Sequence, residues 1–133
     1  MAHPNEELLR RVFDTFRRGD RDAVAAMFAE DAAFSYPGPG ALHGEYRGRA
    51  EIIRFWAAQD RHSGGEFQPQ LLDLVAGGRN VFLMVRIACA DGTGAWIRVV
   101  VYEIADGLIA AARVFEDDPA AAEAFFSLGA GHA

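Results

Sequence analysis

Apolar residues in the first half of the chain recur at helical spacing. The first stripe, which predicts an amphipathic helix, consists of Leu8, Leu9, Val12, Phe13 and Phe16. Asn5 is the predicted cap of this helix and Gly19 its stop. The same spacing predicts a short helix over 21–30, capped by Asp20, and a longer one over 48–60. Between these two helices, residues 31–36 have the character of a strand.

The second half of the chain changes to four strand-like runs, at residues 67–76, 81–90, 95–105 and 108–116. Two dipeptides, Asp91-Gly92 and Asp106-Gly107, separate the last three runs, and both favour two-residue type I′ turns between antiparallel strands. The runs are therefore predicted to form one antiparallel sheet. Pro119 suits the first position of a short terminal helix.

Helices followed by a meander of strands predict an α+β fold in which the early helices pack on one face of a curved, mainly antiparallel sheet. A chain of 133 residues fits a single domain with one core, which we expect to cover about residues 5–127 of the domain 1–133. The other face of the sheet must then be solvated or covered by a partner.

Two-residue turns would also set the register of the last three strands. Counting back from each turn places Arg86, Ile97 and Glu116 in one row. The face that carries this row is predicted to line a pocket, together with aromatic residues of the helical half. The predicted lining is Phe16, Phe28, Trp56, Phe82, Met84, Val99, Val101 and Val114. A one-residue bulge in either hairpin would exchange the two faces.

The opposite face of the predicted sheet mixes aliphatic and aromatic surface with arginine, a composition typical of protein interfaces. We expect a symmetric homodimer through this outer face. The residues assigned to the interface are Arg98, Val100, Tyr102, Arg113 and Phe115.

Glu116 is the candidate for proton transfer. A carboxylate that is partly buried has its pKa raised by desolvation, so that it can act as a general acid or base near neutral pH. Arg86, in the same row, would orient or neutralise an anionic group. In the alternative interpretation the two residues form a structural ion pair at the rim of the pocket, and Asp117 and Asp118 cap the terminal helix.

Composition and charge exclude several classes of function. The net charge is −6 and the basic residues are scattered, which argues against nucleic acid as a partner. No segment approaches the length of a membrane span and no targeting signal opens the chain, so we expect a cytoplasmic protein. The four histidines lack the spacing of a metal site, so no metal is expected. We expect no other cofactor either. The single cysteine, Cys89, is interpreted as a core residue.

Three phrases, GDRDAVAAMFAEDAAFSYPG, YRGRAEIIRFW and VVVYEIADGLIAAARVFED, resemble the SnoaL-like branch of the nuclear transport factor 2-like superfamily, and the resemblance extends roughly from Asn5 to Glu116. It implies a cone-shaped fold, in which a curved sheet wraps around helices and encloses an apolar pocket, and dimerisation through the outer sheet face. The superfamily includes ketosteroid isomerases, polyketide cyclases, dehydratases, epoxide hydrolases and proteins without a known activity.

The catalytic residues of the ketosteroid isomerase branch do not carry over to this chain. The resemblance places the catalytic aspartate of that branch at Tyr36, before Pro37, and a phenol is no substitute for a carboxylate base. The oxyanion tyrosine falls near Val12, and the oxyanion aspartate falls within residues 99–101, which are all valine. We therefore expect no ketosteroid isomerase activity. In the polyketide cyclase branch an acidic residue lies late in the sheet, where this chain has Glu116.

Two main hypotheses follow. In the first, the protein binds a small apolar molecule, aromatic or polyketide-like, and acts as a cofactor-free cyclase, isomerase or hydratase. Glu116 would then be the acid or base, Tyr36 a hydrogen-bond donor and Arg86 an electrostatic partner. In the second, the chain is a noncatalytic ligand-binding or dimeric assembly module. A third alternative is an accessory domain that acts through its outer sheet face.

Overall fold

The computed structural model describes residues 3–38, 40–64, 67–88 and 95–127, which form four helices and six strands. The helices are α1 (Pro4–Arg17), α2 (Arg21–Ala25), α3 (Gly48–His62) and α4 (Pro119–Phe125). The strands are β1 (Phe28–Tyr36), β2 (Gly44–Arg47), β3 (Pro69–Ala76), β4 (Asn80–Ile87), β5 (Trp96–Ala105) and β6 (Leu108–Glu116).

All six strands belong to one sheet with the order β2-β1-β6-β5-β4-β3. Every neighbouring pair is antiparallel except β1 and β6, which run parallel. The predicted α+β class and the mainly antiparallel sheet are confirmed. Strand β2 was not predicted, because it has only four residues and exists through its pairing with the end of β1.

Side chains at the helix ends explain where the helices begin. Asp20 accepts a hydrogen bond from the Ala23 amide and caps α2, as predicted, and Asp118 caps α4 in the same way. The predicted cap of α1 is wrong by two residues. His3 is the cap, since its Nδ1 accepts from the Asn5 amide, and Pro4 begins the helix.

The register between β4 and β5 agrees with the prediction, since Arg86 lies opposite Ile97 and Met84 opposite Val99. Cys89 and the Asp91-Gly92 turn lie outside the described residues, so the prediction for the turn is tested only through the pairing of β4 with β5.

The register between β5 and β6 is displaced from the prediction by one residue. Asp106 and Gly107 have φ angles of 53° and 76°, as a type I′ turn requires. The pairing irregularity lies further along, where Ile104 pairs with Ile109 but Glu103 pairs with Ala111. This bulge brings Arg98, not Ile97, opposite Glu116.

Because of this bulge, the predicted inner and outer faces of β4 and β5 are exchanged. Along β4 and β5 the buried set is the one predicted to point outward, and Val85, Arg98, Val100 and Tyr102 lie on the inner face. The predicted pocket positions Phe82, Met84, Val99 and Val101 are therefore wrong, because they lie on the outer face. Arg86 also lies there, exposed and away from Glu116. Of the predicted interface residues, only Arg113 and Phe115 are exposed on the outer face.

The core lies between the helices and the inner face of the sheet. Helix α3 packs on β1 and β2, and α1 packs on β3 and β4. Gly48 begins α3 with a φ of +82°, and a Cβ there would lie 3.4 Å from the Glu30 carbonyl oxygen, so glycine suits this junction. None of the helices in the described ranges is both long and apolar enough to cross a membrane.

Candidate functional site

A cavity of about 70 Å³ lies inside the cone, between α1, α3 and the inner face of β4, β5 and β6. Most of its wall is aliphatic or aromatic. The polar side chains that line it, Gln59, Arg98 and Tyr102, come from α3 and β5. The cavity is therefore an apolar space with a small number of polar groups, which is the usual composition of a small-molecule site.

Three residues mark the place where the cavity approaches solvent. Phe16, Phe67 and Pro69 are the lining residues that are only half buried, whereas the rest of the lining is buried. The rings of Phe16 and Phe67 meet edge to face, with centroids 6.4 Å apart. The guanidinium of Arg21 lies 3.6 Å from the centroid of the Phe16 ring and holds that ring from outside.

The predicted lining residues divide into two groups. Phe16, Phe28, Trp56 and Val114 line the cavity. The other four predicted residues lie on the outer face of the sheet, as the corrected register requires. Phe34, Phe55, Val85 and Val100 line the cavity without having been predicted to do so.

Arg98 and Glu116 form a buried ion pair next to the cavity. The Nε–H and Nη2–H groups of Arg98 donate to Oε1 and Oε2 of Glu116, each at 2.8 Å. Both side chains are only 6% exposed. Such bidentate geometry is the strongest form of an arginine–carboxylate contact.

Two further side chains complete the hydrogen-bond network. The Tyr36 hydroxyl donates to Glu116 Oε2 at 2.8 Å, and Arg98 Nη1 donates to Gln59 Oε1 at 2.8 Å. The network thus joins β1, α3, β5 and β6. The structure brings the candidates Tyr36 and Glu116 together, with Arg98 in the place predicted for Arg86.

Aromatic rings surround the guanidinium of Arg98. Its Cζ atom lies 5.1 Å from the centroid of Phe67 and 5.6 Å from those of Tyr36 and Phe126. Rings at these distances attract a cation through their π faces and keep water away from it. Arg98 is consequently held in one position by its hydrogen bonds and by packing.

The ion pair changes the expected chemistry of Glu116. Burial by itself raises the pKa of this carboxyl, but the hydrogen bonds and positive charge of Arg98 outweigh it, and the pKa lies below the ordinary value of 4.5. Trp96 Nε1 adds to the lowering, although it makes no hydrogen bond of acceptable geometry. The predicted rise of this pKa is therefore wrong, and Glu116 is a weak base that stays ionised at neutral pH.

The tyrosines near Arg98 stay protonated. Burial raises the pKa of Tyr36 far above the ordinary value of 10, and it raises the pKa of Tyr102 to about 12. The Tyr102 hydroxyl donates no hydrogen bond to another described residue. Both phenols can donate a hydrogen bond, and neither can serve as a base at neutral pH.

Glu116 and Tyr36 do not line the cavity. They line a surface depression of about 230 Å³, together with Phe115 and Pro119. Arg98 and Gln59 lie between this depression and the cavity, which they line. A molecule in the cavity would thus meet Arg98 and Gln59 rather than the carboxylate.

No group of three or more potential metal ligands occurs among the residues that the structure describes. His3, His43 and His62 are described, and His132 lies outside the described residues. The donors at the cavity are an amide, a guanidinium and a phenol, and a guanidinium does not bind a metal ion.

Sequence reasoning missed Arg98 and Gln59 as site residues. With the correct β5–β6 register, Arg98 lies opposite Glu116 on the inner face. A buried charge needs such a partner, and this pairing would have marked Arg98 as a site residue. Gln59 carries a weaker signal: it follows Ile52, Phe55 and Trp56 at helical spacing, on the apolar side of α3.

Comparison with known proteins agrees with this fold. The chain is 27% identical over 124 residues to an uncharacterised protein of Mycobacterium tuberculosis, covering 91% of this chain and 95% of that protein. The structure of Bal32a, from a soil-derived mobile gene cassette, has a TM-score of 0.83 and 25% identity, with 92% and 96% of the two chains covered. TerC, co-crystallised with polyporic acid, has a TM-score of 0.77 and 22% identity, with 89% and 95% covered.

The family itself follows from a match along most of the chain. The model of the SnoaL-like domain matches residues 9–112, from α1 into β6. This range includes every described lining residue of the cavity except Val114, and it confirms the resemblance found in the sequence. The chain therefore belongs to the SnoaL-like domain family, with the α+β cone fold of nuclear transport factor 2-like proteins.

Proposed function

We propose that this protein binds a small, largely apolar molecule, aromatic or polyketide-like, in the cavity between α1, α3 and the inner sheet face. One observation carries the proposal: the apolar cavity contains a buried cation, Arg98, that is held rigidly at its wall. A core that served stability alone would gain little from this group, because replacing a buried ion pair by apolar residues is often neutral or stabilising.

The volume of the cavity limits what can enter without movement. About 70 Å³ holds a few water molecules but is smaller than the ~300 Å³ of a typical ligand pocket. Binding of a ring system therefore requires the cavity to widen. Phe16 and Phe67 are the side chains that would move, since they are half buried and lie where the cavity approaches solvent.

Two adjacent valines of β5 provide a test. Val100 lines the cavity, whereas Val99 lies on the outer face of the same strand. Wild type, Val100→Phe and Val99→Phe are compared by thermal shift with polyporic acid, steroids and terpenoid epoxides, because a bound ligand stabilises the native state. We expect a ligand to raise the melting temperature of wild type and Val99→Phe but not of Val100→Phe.

An equal shift in all three proteins would contradict binding in the cavity. Val100→Leu, which adds one methylene group, is the milder variant if Val100→Phe fails to fold. If no compound of the set raises the melting temperature of wild type, the result counts against ligand binding itself.

A cofactor-free cyclase, isomerase or hydratase is the second candidate, and the position of Arg98 favours it. A fixed cation at the wall of an apolar cavity would stabilise an enolate or another developing oxyanion. In this form of the proposal Arg98 is the catalytic residue, and Glu116 and Tyr36 position it. Turnover of an identified substrate should then fall by at least about 100-fold in Arg98→Met, and unchanged turnover would remove Arg98 from the mechanism.

We also propose that two copies of the chain associate through the outer sheet face. Four of the large apolar residues that are exposed in the described chain lie on this side: Val75, Phe82, Met84 and Phe115. Met84, Val99 and Phe115 form one row across three strands. Beside Phe115 lies a hollow of about 340 Å³, whose wall combines the small side chains of Ala33 and Ala111 with the polar side chains of Glu45, Glu103 and Arg113. In the proposed symmetric contact, the Phe115 ring of each copy would enter the hollow of the other.

A further inference from the structure

The Arg98–Gln59 hydrogen bond determines which way the Gln59 amide points. A guanidinium carries five N–H donors and no acceptor, so only the amide oxygen can face it. The distance from Arg98 Nη1 to Gln59 Oε1 is 2.8 Å. The opposite amide orientation would place two sets of donors against each other. The Gln59 NH₂ group is thus directed away from Arg98.

This NH₂ group has no acceptor in the described part of the chain. Gln59 is 2% exposed and lines the cavity, and its amide donates no hydrogen bond to a described residue. A donor in this position that met neither water nor a ligand would cost about 1–3 kcal/mol. The cavity must therefore supply an acceptor, either from water or from a ligand.

The other polar groups at the cavity wall, those of Arg98 and Tyr102, also require a hydrogen-bond acceptor. Three of the N–H groups of Arg98 are donated to Glu116 and Gln59, which leaves one hydrogen on each Nη atom. Tyr102 also lines the cavity, and its hydroxyl stays protonated because burial raises its pKa to about 12. The polar part of the wall is thus rich in donors, and no carboxylate of the described residues lines it.

We propose that the cavity selects ligands that carry a carbonyl oxygen, as in a ketone or a quinone, and that Gln59 Nε2 donates to that oxygen. The inference rests on the proposed function and adds the chemical class of the ligand. Gln59 acts as a specificity residue whose orientation is fixed by Arg98, and Arg98 is itself fixed by Glu116. A ligand without an acceptor at this position would leave the amide hydrogens unpaired.

Two probes of nearly identical shape isolate the carbonyl group. Acetophenone and α-methylstyrene differ in that a C=O group replaces a C=CH₂ group. Dissociation constants for both are measured by NMR titration with wild type, with Gln59→Met and with Ala57→Met. Ala57 is exposed on the same helix, two residues before Gln59, and serves as the matched control.

We expect the preference for acetophenone over α-methylstyrene to be about tenfold greater in wild type and Ala57→Met than in Gln59→Met. If both probes bind but the preference is the same in all three proteins, the inference is overturned while the proposed function stands. If neither probe nor any compound of the thermal-shift set binds wild type, the proposed function fails, and the inference fails with it.

A spectroscopic measurement on wild type can overturn the inference even if Gln59→Met does not fold. The infrared carbonyl band of bound acetophenone should lie at lower frequency than in hexane, because a hydrogen bond weakens the C=O bond. A band at the hexane frequency would show that no donor reaches the oxygen and would overturn the inference.

Discussion

Arg98 and Glu116 lie directly opposite each other on β5 and β6, joined by two hydrogen bonds of 2.8 Å inside the cone. The pair holds the charge that faces the cavity, and it connects this charge to Tyr36 and Gln59. Most expectations about the stability and the pH dependence of this protein follow from the pair.

Removal of one member of the pair should destabilise the protein strongly. In Glu116→Gln the guanidinium loses its counter-charge but remains buried, and we expect the free energy of unfolding to fall by about 3–5 kcal/mol. Chemical denaturation followed by circular dichroism measures this change. Glu123→Gln, at an exposed carboxylate of α4, is the control and should change stability by less than about 0.5 kcal/mol.

Replacement of both members should cost less than the sum of the two single changes. The double variant Arg98→Met with Glu116→Leu leaves no buried charge, so its loss of stability should be smaller than that of either single variant. Additive losses would mean that the two side chains do not interact energetically, contrary to the observed geometry.

The protein should lose stability in acid through Glu116. The pKa of this group in the folded state lies below its ordinary value of 4.5, so the unfolded chain binds the proton more readily. The stabilising contribution is complete above about pH 4.5 and is lost as the pH falls through the folded pKa. Denaturant midpoints between neutral pH and pH 3 should therefore fall more steeply for wild type than for Glu116→Gln, and parallel curves would contradict this assignment.

The buried tyrosines should lose their contribution to stability at alkaline pH. Burial raises the pKa of Tyr36 and Tyr102 above 10, so the contribution of each is complete below pH 10 and is lost as the pH rises through its folded value, about 12 for Tyr102. Phenolate absorbance of the folded protein should appear only above the range of free tyrosine. A change in the alkaline part of the titration is expected in Tyr102→Phe, and a full tyrosine signal near pH 10 without unfolding would refute the prediction.

The outer face should determine the association state. We expect wild type to sediment as a dimer at micromolar concentration and Phe115→Asp to sediment as a monomer, because a charge in the apolar row opposes burial of that face. Arg54→Asp, on the exposed side of α3, is the control and should remain dimeric. A monomeric wild type under these conditions would disprove the proposed interface.

The sequence by itself determined the fold class and most of the elements, although not β2 or the end of α2. Helical spacing in α1 and α3, the capping residues Asp20 and Asp118 and the type I′ turn at Asp106-Gly107 are local features, so adjacent residues are enough to predict them. The candidates Tyr36 and Glu116 were also found from the sequence, Tyr36 from the resemblance to ketosteroid isomerases and Glu116 from the count along the hairpin.

The tertiary structure decided which side chains face the cavity. Successive side chains on a strand point to opposite faces of the sheet. One bulge between β5 and β6, next to the Glu103–Ala111 pair, therefore moves Glu116 from the row of Ile97 to that of Arg98. That shift changed the partner of the carboxylate and reversed the predicted direction of its pKa. Gln59 became a site residue only because α3 packs against the sheet and brings its amide to Arg98, a contact between residues 39 positions apart in the chain.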